Sequence, residues 1–302
     1  MSEQSIFEHS RQLFASAREA LRPILPRRLR GEAPVVPVVR LSGVIGLSTP
    51  LKPGLMLATV ARPLERAFCM RHARAVALLI NSPGGSPVQS HLIYRRIRQL
   101  AGENDRRVIA FAEDVAASGG YMIACAADEI ICDPASIVGS IGVVGGSFGF
   151  AKLIEKLGIE RRLYTSGEHK AMLDPFLPEN SEDVDRLKAV QREIHEGFIG
   201  LVKQRRGARL KGPEKTLFSG EYWTGSKAME LGLADAIGDL RSTLRERFGP
   251  DVLTPLISPP RGWLGRVQPG VGVLDALSQR GSLPEEFVSA LEERAIWSRY
   301  GL

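Results

Sequence analysis

Residues 107–128 read RVIAFAEDVAASGGYMIACAAD, and the order of residue types in that stretch decides the fold class. Arg107 to Phe111 is a short apolar run rich in strand formers. A short loop leads to Ser118, set among small residues, and the apolar segment YMIACAA then reads as a helix that starts just after the serine. A buried strand feeding a helix through a small-residue turn is the repeating step of a parallel α/β sheet. On the local sequence alone Ser118 reads as a helix N-cap, because a serine there can accept from one of the free N–H groups of the first turn.

The alternation continues in both directions. Upstream, Pro34 to Arg40 (PVVPVVR) reads as a strand, the region from Ala58 to His72 as a helix, and Ala75 to Asn81 (AVALLIN) as a strand buried on both faces. A helix is predicted from Pro87 to Ala101. Downstream, Glu129 to Cys132 (EIIC) reads as a strand, Lys152 to Leu157 as a helix and Arg161 to Thr165 as a further strand. Leu187, Val190, Ile194, Phe198 and Leu201 recur at helical spacing and predict a long amphipathic helix from Val184 to Arg205. The whole pattern predicts an α/β fold with a mostly parallel sheet and flanking helices.

Three parts follow from this reading. Residues 1–31 form a basic helical arm with Ile6, Phe7, Leu13, Phe14, Ala17 and Leu21 on one side. Residues 32–248 hold the α/β domain. Residues 249–302 hold a Pro/Gly-rich linker and a C-terminal helix opened at Ser282-Leu283-Pro284-Glu285, which has capping-box spacing and proline in the first turn. Phe287, Val288, Leu291 and Ala295 give that helix an apolar face.

Composition narrows the function classes. The 302 residues carry a formal net charge of +6. Six arginines between Arg11 and Gly31 face a single acid, Glu19. Few aromatics interleave with them, so no stacking platform is present and nucleic acid is not the expected partner. Either an ordinary docking helix or a helix beside a membrane or acidic partner fits the arm. The longest uncharged run, Pro134 to Ala151, contains five glycines and three serines and is a poor spanning helix. The start lacks an apolar signal-peptide core. Cys69, Cys125 and Cys132 form neither a disulfide framework nor a C-x-x-C pair, so they read as buried thiols, with no metal and no cofactor expected.

Two glycine-rich turns carry the chemistry. Asn81-Ser82-Pro83-Gly84-Gly85-Ser86 follows AVALLI directly, and its paired glycines let backbone N–H groups approach an oxygen unobstructed. By itself such a sequence is a tight turn. Ala116-Ala117-Ser118-Gly119-Gly120-Tyr121 puts a hydroxyl at a helix start, where free N–H donors and a positive partial charge favour a developing oxyanion.

Taken together, NSPGG (81–85), AASGGY (116–121) with AAD (126–128), VGSIGVV (138–144), SGEHK (166–170) and GEYWTGSKAMELGLADAIGDL (220–240) resemble, in that order, the S49 family of serine peptidases, which includes signal peptide peptidase A and SohB. The resemblance runs from about Val35 to Leu240. It implies a ClpP/crotonase-like fold and a Ser/Lys dyad, with Ser118 as nucleophile and Lys170 as general base. Ser140 matches a serine that helps hold the lysine, and Gly85 and Gly119 match the oxyanion-hole donors. It further implies extended hydrophobic peptides as substrates and a homo-oligomeric ring, in which Lys170 can meet Ser118 of an adjacent chain. Many family members carry an N-terminal membrane anchor; here the arginine-rich arm stands in that place. The expected location is therefore cytoplasmic, or peripheral on the inner membrane through the arm.

The dyad also has a physical argument. A serine hydroxyl is a weak nucleophile until a neighbouring base takes its proton. Lysine in water is protonated at pH 7, and it serves as a base only where burial or like charge lowers its pKa to roughly 7–8. His169 is the rival base, since imidazole needs no such shift. Asp128 reads as structural. Two other functions fit the same fold. A crotonase-type acyl-CoA enzyme would rely on acids near the turn, where Glu113 and Asp114 are the nearest before Ser118. A non-catalytic membrane-associated scaffold would have no use for Ser118, Lys170 and Ser140 together.

Overall fold

The computed structural model describes residues 33–47, 54–258, 291 and 293–301. The basic arm and the opening of the C-terminal helix at Ser282 lie outside the described residues.

Among the described residues β1 (Val38–Ser42), β2 (Val76–Ser82), β3 (Val108–Ala117), β4 (Glu129–Cys132), β5 (Ile137–Gly139), β6 (Tyr222–Thr224) and β7 (Ala236–Ile237) form one sheet, in the order β1-β2-β3-β4-β7, with β5 paired to β3 and β6 paired to β5. β1, β2, β3 and β4 are parallel throughout. β2 reads VALLINS and is buried along most of its length, as a strand covered on both faces must be. Between strands the chain returns through α1 (Leu57–Phe68) and α2 (Pro87–Glu103), and the α-helices that follow as far as Phe248 are α3 (Gly119–Ala124), α4 (Ala151–Lys156), α5 (Ser181–Arg206), α6 (Glu214–Leu217), α7 (Gly225–Glu230) and α8 (Leu240–Phe248). α2 opens on Ser86, whose Oγ accepts from the Gln89 N–H, with Pro87 at the first helical position.

β3 runs six residues beyond the predicted strand end at Phe111. The sequence AEDVAA has few strand formers, so intrinsic preference does not mark it; pairing does. The first half of β3 pairs with β4 (Ile109↔Glu129), and its last residues pair with β5 (Ile137–Gly139), with Ala117 opposite Gly139. The Asn81 side chain stitches the transition: its Oδ1 accepts from the Val115 N–H and its Nδ2 donates to Asp114 Oδ2 at 2.7 Å.

The larger core lies on the face covered by α1, α2, α3 (Gly119–Ala124) and the end of α5 (Ser181–Arg206). Leu64, Phe68, Ile93, Ile97, Tyr121 and Ile123 are fully buried there. Each large apolar side chain so buried contributes roughly 1.5–3 kcal/mol. A smaller core on the other face joins Ile109, Phe111 and Ile131 to Leu244 of α8 (Leu240–Phe248). Past Phe248 the chain continues along β1, where Val36 and Val38 donate to Leu253 O and Pro255 O, and Ile257 donates to Val38 O.

A buried ion pair ties α5 to the segment before β7 (Ala236–Ile237). Arg206, 2% exposed, donates to both carboxylate oxygens of Asp235 at 2.7 and 2.9 Å and to Gly232 O. Burial pushes the Asp235 carboxyl up, but the Arg206 and Ile130 N–H hydrogen bonds outweigh it, and the group lies below the usual aspartate range.

Two expectations are corrected. Arg161 to Thr165 is not a strand: it pairs with no described segment and is exposed, with Arg161 paired to Asp174 and Arg162 to Glu160. Cys69 is exposed rather than buried, because it sits at the C-cap of α1. Cys125 and Cys132 are buried, and burial pushes their thiols up to about 12 and about 11.

Candidate active site

Ser118 is the single residue between β3 and α3, in the backbone conformation φ 52°, ψ −122°. A non-glycine residue at positive φ is held there at a cost of order 1–3 kcal/mol, which the surrounding structure must supply. The local reading of Ser118 as an N-cap is therefore half right. The residue occupies the cap position, yet its hydroxyl makes no capping hydrogen bond. The Oγ is left free for another partner.

The partners of the turn come from the sheet. Ala117 and Gly139 are opposite each other on parallel strands, and Ser118 and Ser140 are the next residues on each. Ser118 N–H donates to Gly139 O at 2.8 Å, and Ser140 N–H to Glu221 O at 2.7 Å. Ser140 shares the unusual backbone, with φ 53°. Adjacent strands lie about 4.7–4.9 Å apart, so the register alone brings the two serines side by side.

The second glycine turn closes over Ser118 from the end of β2. Gly84 lies nearest, at φ +100° and close enough that a Cβ there would stand 3.0 Å from Ser118 Oγ. Ser82, fully buried, holds the turn: its Oγ donates to Gly43 O and accepts from the Gly84 N–H. Gly85 pairs with Ile45, whose N–H donates to Gly84 O and whose carbonyl accepts from the Ser86 N–H. In a parallel bridge of that kind the N–H of Gly85 faces away from Ile45. Gly119 heads α3, where the first N–H groups have no partner within the helix, and it packs against Ser90 of α2. The sequence reading singled out the paired glycines but gave a site role only to Gly85, and it assigned none to Ser82 or Ser90. The doubled glycine was a signal for Gly84, whereas nothing local distinguishes Ser82 or Ser90 from other serines.

α3 is held from its other end. Arg205 donates to Cys125 O and Ala127 O, and Arg98 donates to Ala126 O, so two guanidinium groups satisfy the carbonyls at the C-terminal end of the helix. Asp128 joins both arginines and accepts from the Val108 N–H. Tyr121 OH donates to Leu233 O.

Lys170 does not join this group within one chain. It lies in a segment, residues 155–170, that is exposed throughout, and no hydrogen bond links it to Ser118 or Ser140 among the described residues. His169 shares that exposure, with Glu168 as its neighbour at 4.0 Å. Ser140 Oγ instead meets the hydroxyl of Tyr300 at 3.4 Å. His195 of α5 has Nε2 3.0 Å from the carbonyl of Ile141, the residue after Ser140. The acids of the crotonase reading are engaged elsewhere, Glu113 with Arg40 and Asp114 with Asn81.

Comparison with known proteins adds four findings. The family model for "Peptidase family S49" matches residues 101–247, which include Ser118, Ser140 and Lys170. A chloroplastic serine protease SPPA of Arabidopsis thaliana is 32% identical over 225 residues, covering 70% of this chain and 32% of that protein. A probable protease SohB of Buchnera aphidicola (subsp. Schizaphis graminum) is 36% identical over 179 residues, covering 57% of this chain and 51% of its own. A protein of Brucella abortus named "Na(+)/H(+) antiporter NhaA" is 55% identical over 287 residues, 93% of this chain. The chain spans only 39% of that protein's length.

Proposed function

We propose that this chain, whose residues 101–247 match the model of peptidase family S49, is a serine endopeptidase in which Ser118 attacks and Lys170 is the base. The observation that carries the reading is the uncapped hydroxyl of Ser118 at positive φ, set under a glycine turn at a strand-to-helix junction. A serine that served only as a cap would make the cap bond and would not need the strained backbone.

In this reading Lys170 takes the Ser118 proton as Oγ adds to the scissile carbonyl. The Gly85 and Gly119 N–H groups face the oxyanion that develops, and Ser140 Oγ accepts from the lysine and orients it. The intermediate collapses, the lysine returns its proton to the leaving amine, and the same lysine then activates water for deacylation. Peptidase substrates are taken as extended hydrophobic peptides, such as signal-peptide remnants or membrane-protein fragments, bound beside the sheet.

We infer further that the site is completed in a homo-oligomeric ring, Lys170 reaching the Ser118 of a neighbouring copy. The stretch 148–170, which ends at Lys170, exposes Phe148 (81%) and Tyr164 (90%) together with Leu153, Leu157 and Ile159. Apolar surface on that scale marks an interaction site, and a neighbour covering it would also exclude the water that keeps a lysine protonated. The antiporter name describes a protein more than twice as long, and among the described residues no helix is long and apolar enough to cross a membrane. The shared part is read here as a peptidase unit, cytoplasmic or held at the inner membrane by the basic arm.

The test is cleavage of a mixed hydrophobic peptide library by wild type, Ser118→Ala and Lys170→Ala between about pH 6 and pH 10. Cleavage that rises with pH and disappears in both variants supports the dyad. Retention of the rate in Lys170→Ala, with loss in His169→Ala, would move the base to the histidine.

A further inference from the structure

Residues 293–298 are helical, and the turn that follows them lies across the mouth of the site. The contacts are specific. Tyr300 OH donates to Pro83 O at 3.3 Å and lies 3.4 Å from Ser140 Oγ. Its ring meets Tyr222 edge to face, with centroids 5.1 Å apart, and Tyr222 OH donates to Arg299 O at 3.2 Å. Pro83 belongs to the turn that covers Ser118, and Tyr222 opens β6 (Tyr222–Thr224), which pairs with β5, the strand that ends one residue before Ser140. Tyr300 thus bridges both walls of the serine turn.

We propose that Pro83 O, Ser140 Oγ and the Tyr222 ring form a receptor for a phenolic side chain, and that Tyr300 fills it as an intramolecular inhibitor. The proposal rests on the peptidase reading, in which Ser140 Oγ is the group that holds the lysine. A hydroxyl already engaged with Tyr300 has less capacity to accept from Lys170, and the ring and backbone of residues 299–301 stand where a peptide would enter. Seating of Tyr300 and assembly of the dyad are therefore competing states of one site, and the population with Tyr300 withdrawn sets the apparent activity. The same receptor would prefer a tyrosine over a phenylalanine in a competing peptide, because Pro83 O and Ser140 Oγ both face the phenol oxygen.

Two measurements on the 302-residue chain test this together. The first compares peptide cleavage by wild type, Tyr300→Phe and Tyr300→Ala. Tyr300→Ala is expected to turn over several-fold faster than wild type, with Tyr300→Phe between them, since it keeps the ring contact and loses the hydroxyl. Equal rates for all three, in a wild type that cleaves, would overturn the proposal and leave the peptidase reading intact. The second needs no catalysis: a fluorescent synthetic peptide of residues 291–302 is titrated into each protein and followed by anisotropy. It is expected to bind Tyr300→Ala more tightly than wild type, and to lose that binding in Tyr222→Ala/Tyr300→Ala. Equal binding by all three proteins overturns the receptor. If no protein cleaves, the peptidase reading fails and the anisotropy alone decides the receptor.

Discussion

Gly84 lies so close to Ser118 that a side chain on the glycine would stand 2.7 Å from Ser118 Cβ and 2.9 Å from the Gly119 N–H nitrogen. The two turns therefore fit only with hydrogen at that position. Gly84 also has φ +100°, where a Cβ adds strain of about 1–2 kcal/mol. Gly84→Ala should push Ser118 from its place and lower cleavage roughly tenfold or more, the equivalent of about 1.4 kcal/mol in the barrier. Labelling of Ser118 by a fluorophosphonate should slow in step, while thermal unfolding shifts by only a few degrees. Unchanged labelling would show that the two turns can separate without consequence.

Gly119 presents a second contact of this kind, with a partner that can be removed. A Cβ on Gly119 would run into Ser90 Oγ, while Ser90 Cβ would be 3.3 Å away. Gly119→Ala should be damaging alone. Ser90→Ala should cost about 0.5–1.5 kcal/mol for the lost hydrogen bond to Ser86 O. The double variant should then be less stable than wild type by clearly less than the sum, with a coupling of about 1 kcal/mol, read from urea unfolding of all four proteins. Strict additivity would place the clash elsewhere.

These contacts mark where sequence reading reaches and where it stops. The parallel α/β class was legible because β2 and β4 are dense in strand formers and the helices between them show apolar spacing. The end of β3 was not, since AEDVAA owes its extended form to β5 and to the Asn81 side chain, both distant in sequence. Ser118 stood out through its small neighbours, and Ser140 through a motif. That the two leave adjacent strands side by side depends on register, which no local pattern encodes. Arg161 to Thr165 has strand-like composition but no partner strand among the described residues, and propensity without a partner does not make a strand. Tyr300 was illegible for the same reason in reverse: its role comes from contacts to residues 83, 140 and 222.

Lys170 and Ser118 make the strongest demand on assembly. If the lysine acts on a neighbour's serine, Ser118→Ala and Lys170→Ala are each inactive alone and complementary together. Co-assembled at equal amounts, random mixing places an intact serine beside an intact lysine at about one quarter of the sites. Activity near that fraction, falling on dilution as the oligomer dissociates, is the expected outcome. A mixture as inactive as its components, with mixed oligomers confirmed by native mass spectrometry, would require both groups from one chain.

Arg206 and Asp235 set the acid limit of the fold. The Asp235 carboxyl is held below the usual aspartate range in the folded state, so between its ordinary and folded pKa values the unfolded chain binds more protons. Stability therefore rises with pH through that window: the contribution is complete above about pH 4 and is lost as pH falls through the folded value. Glu129 is lowered chiefly by its hydrogen bonds from Arg247, and Asp239 by its bonds to Ser242, so both add to the slope. Asp235→Asn should remove part of the slope and leave the rest. At neutral pH the same variant leaves Arg206 buried without its counter-charge, which costs about 3–5 kcal/mol. Urea unfolding of wild type and Asp235→Asn at steps from about pH 2 to pH 7 separates these effects. The two curves should converge as the medium becomes acid, because protonation takes from the wild type what the substitution has already removed. Curves that stay parallel would mean that Asp235 does not titrate with folding, and that the Arg206 pair draws its stability from packing alone.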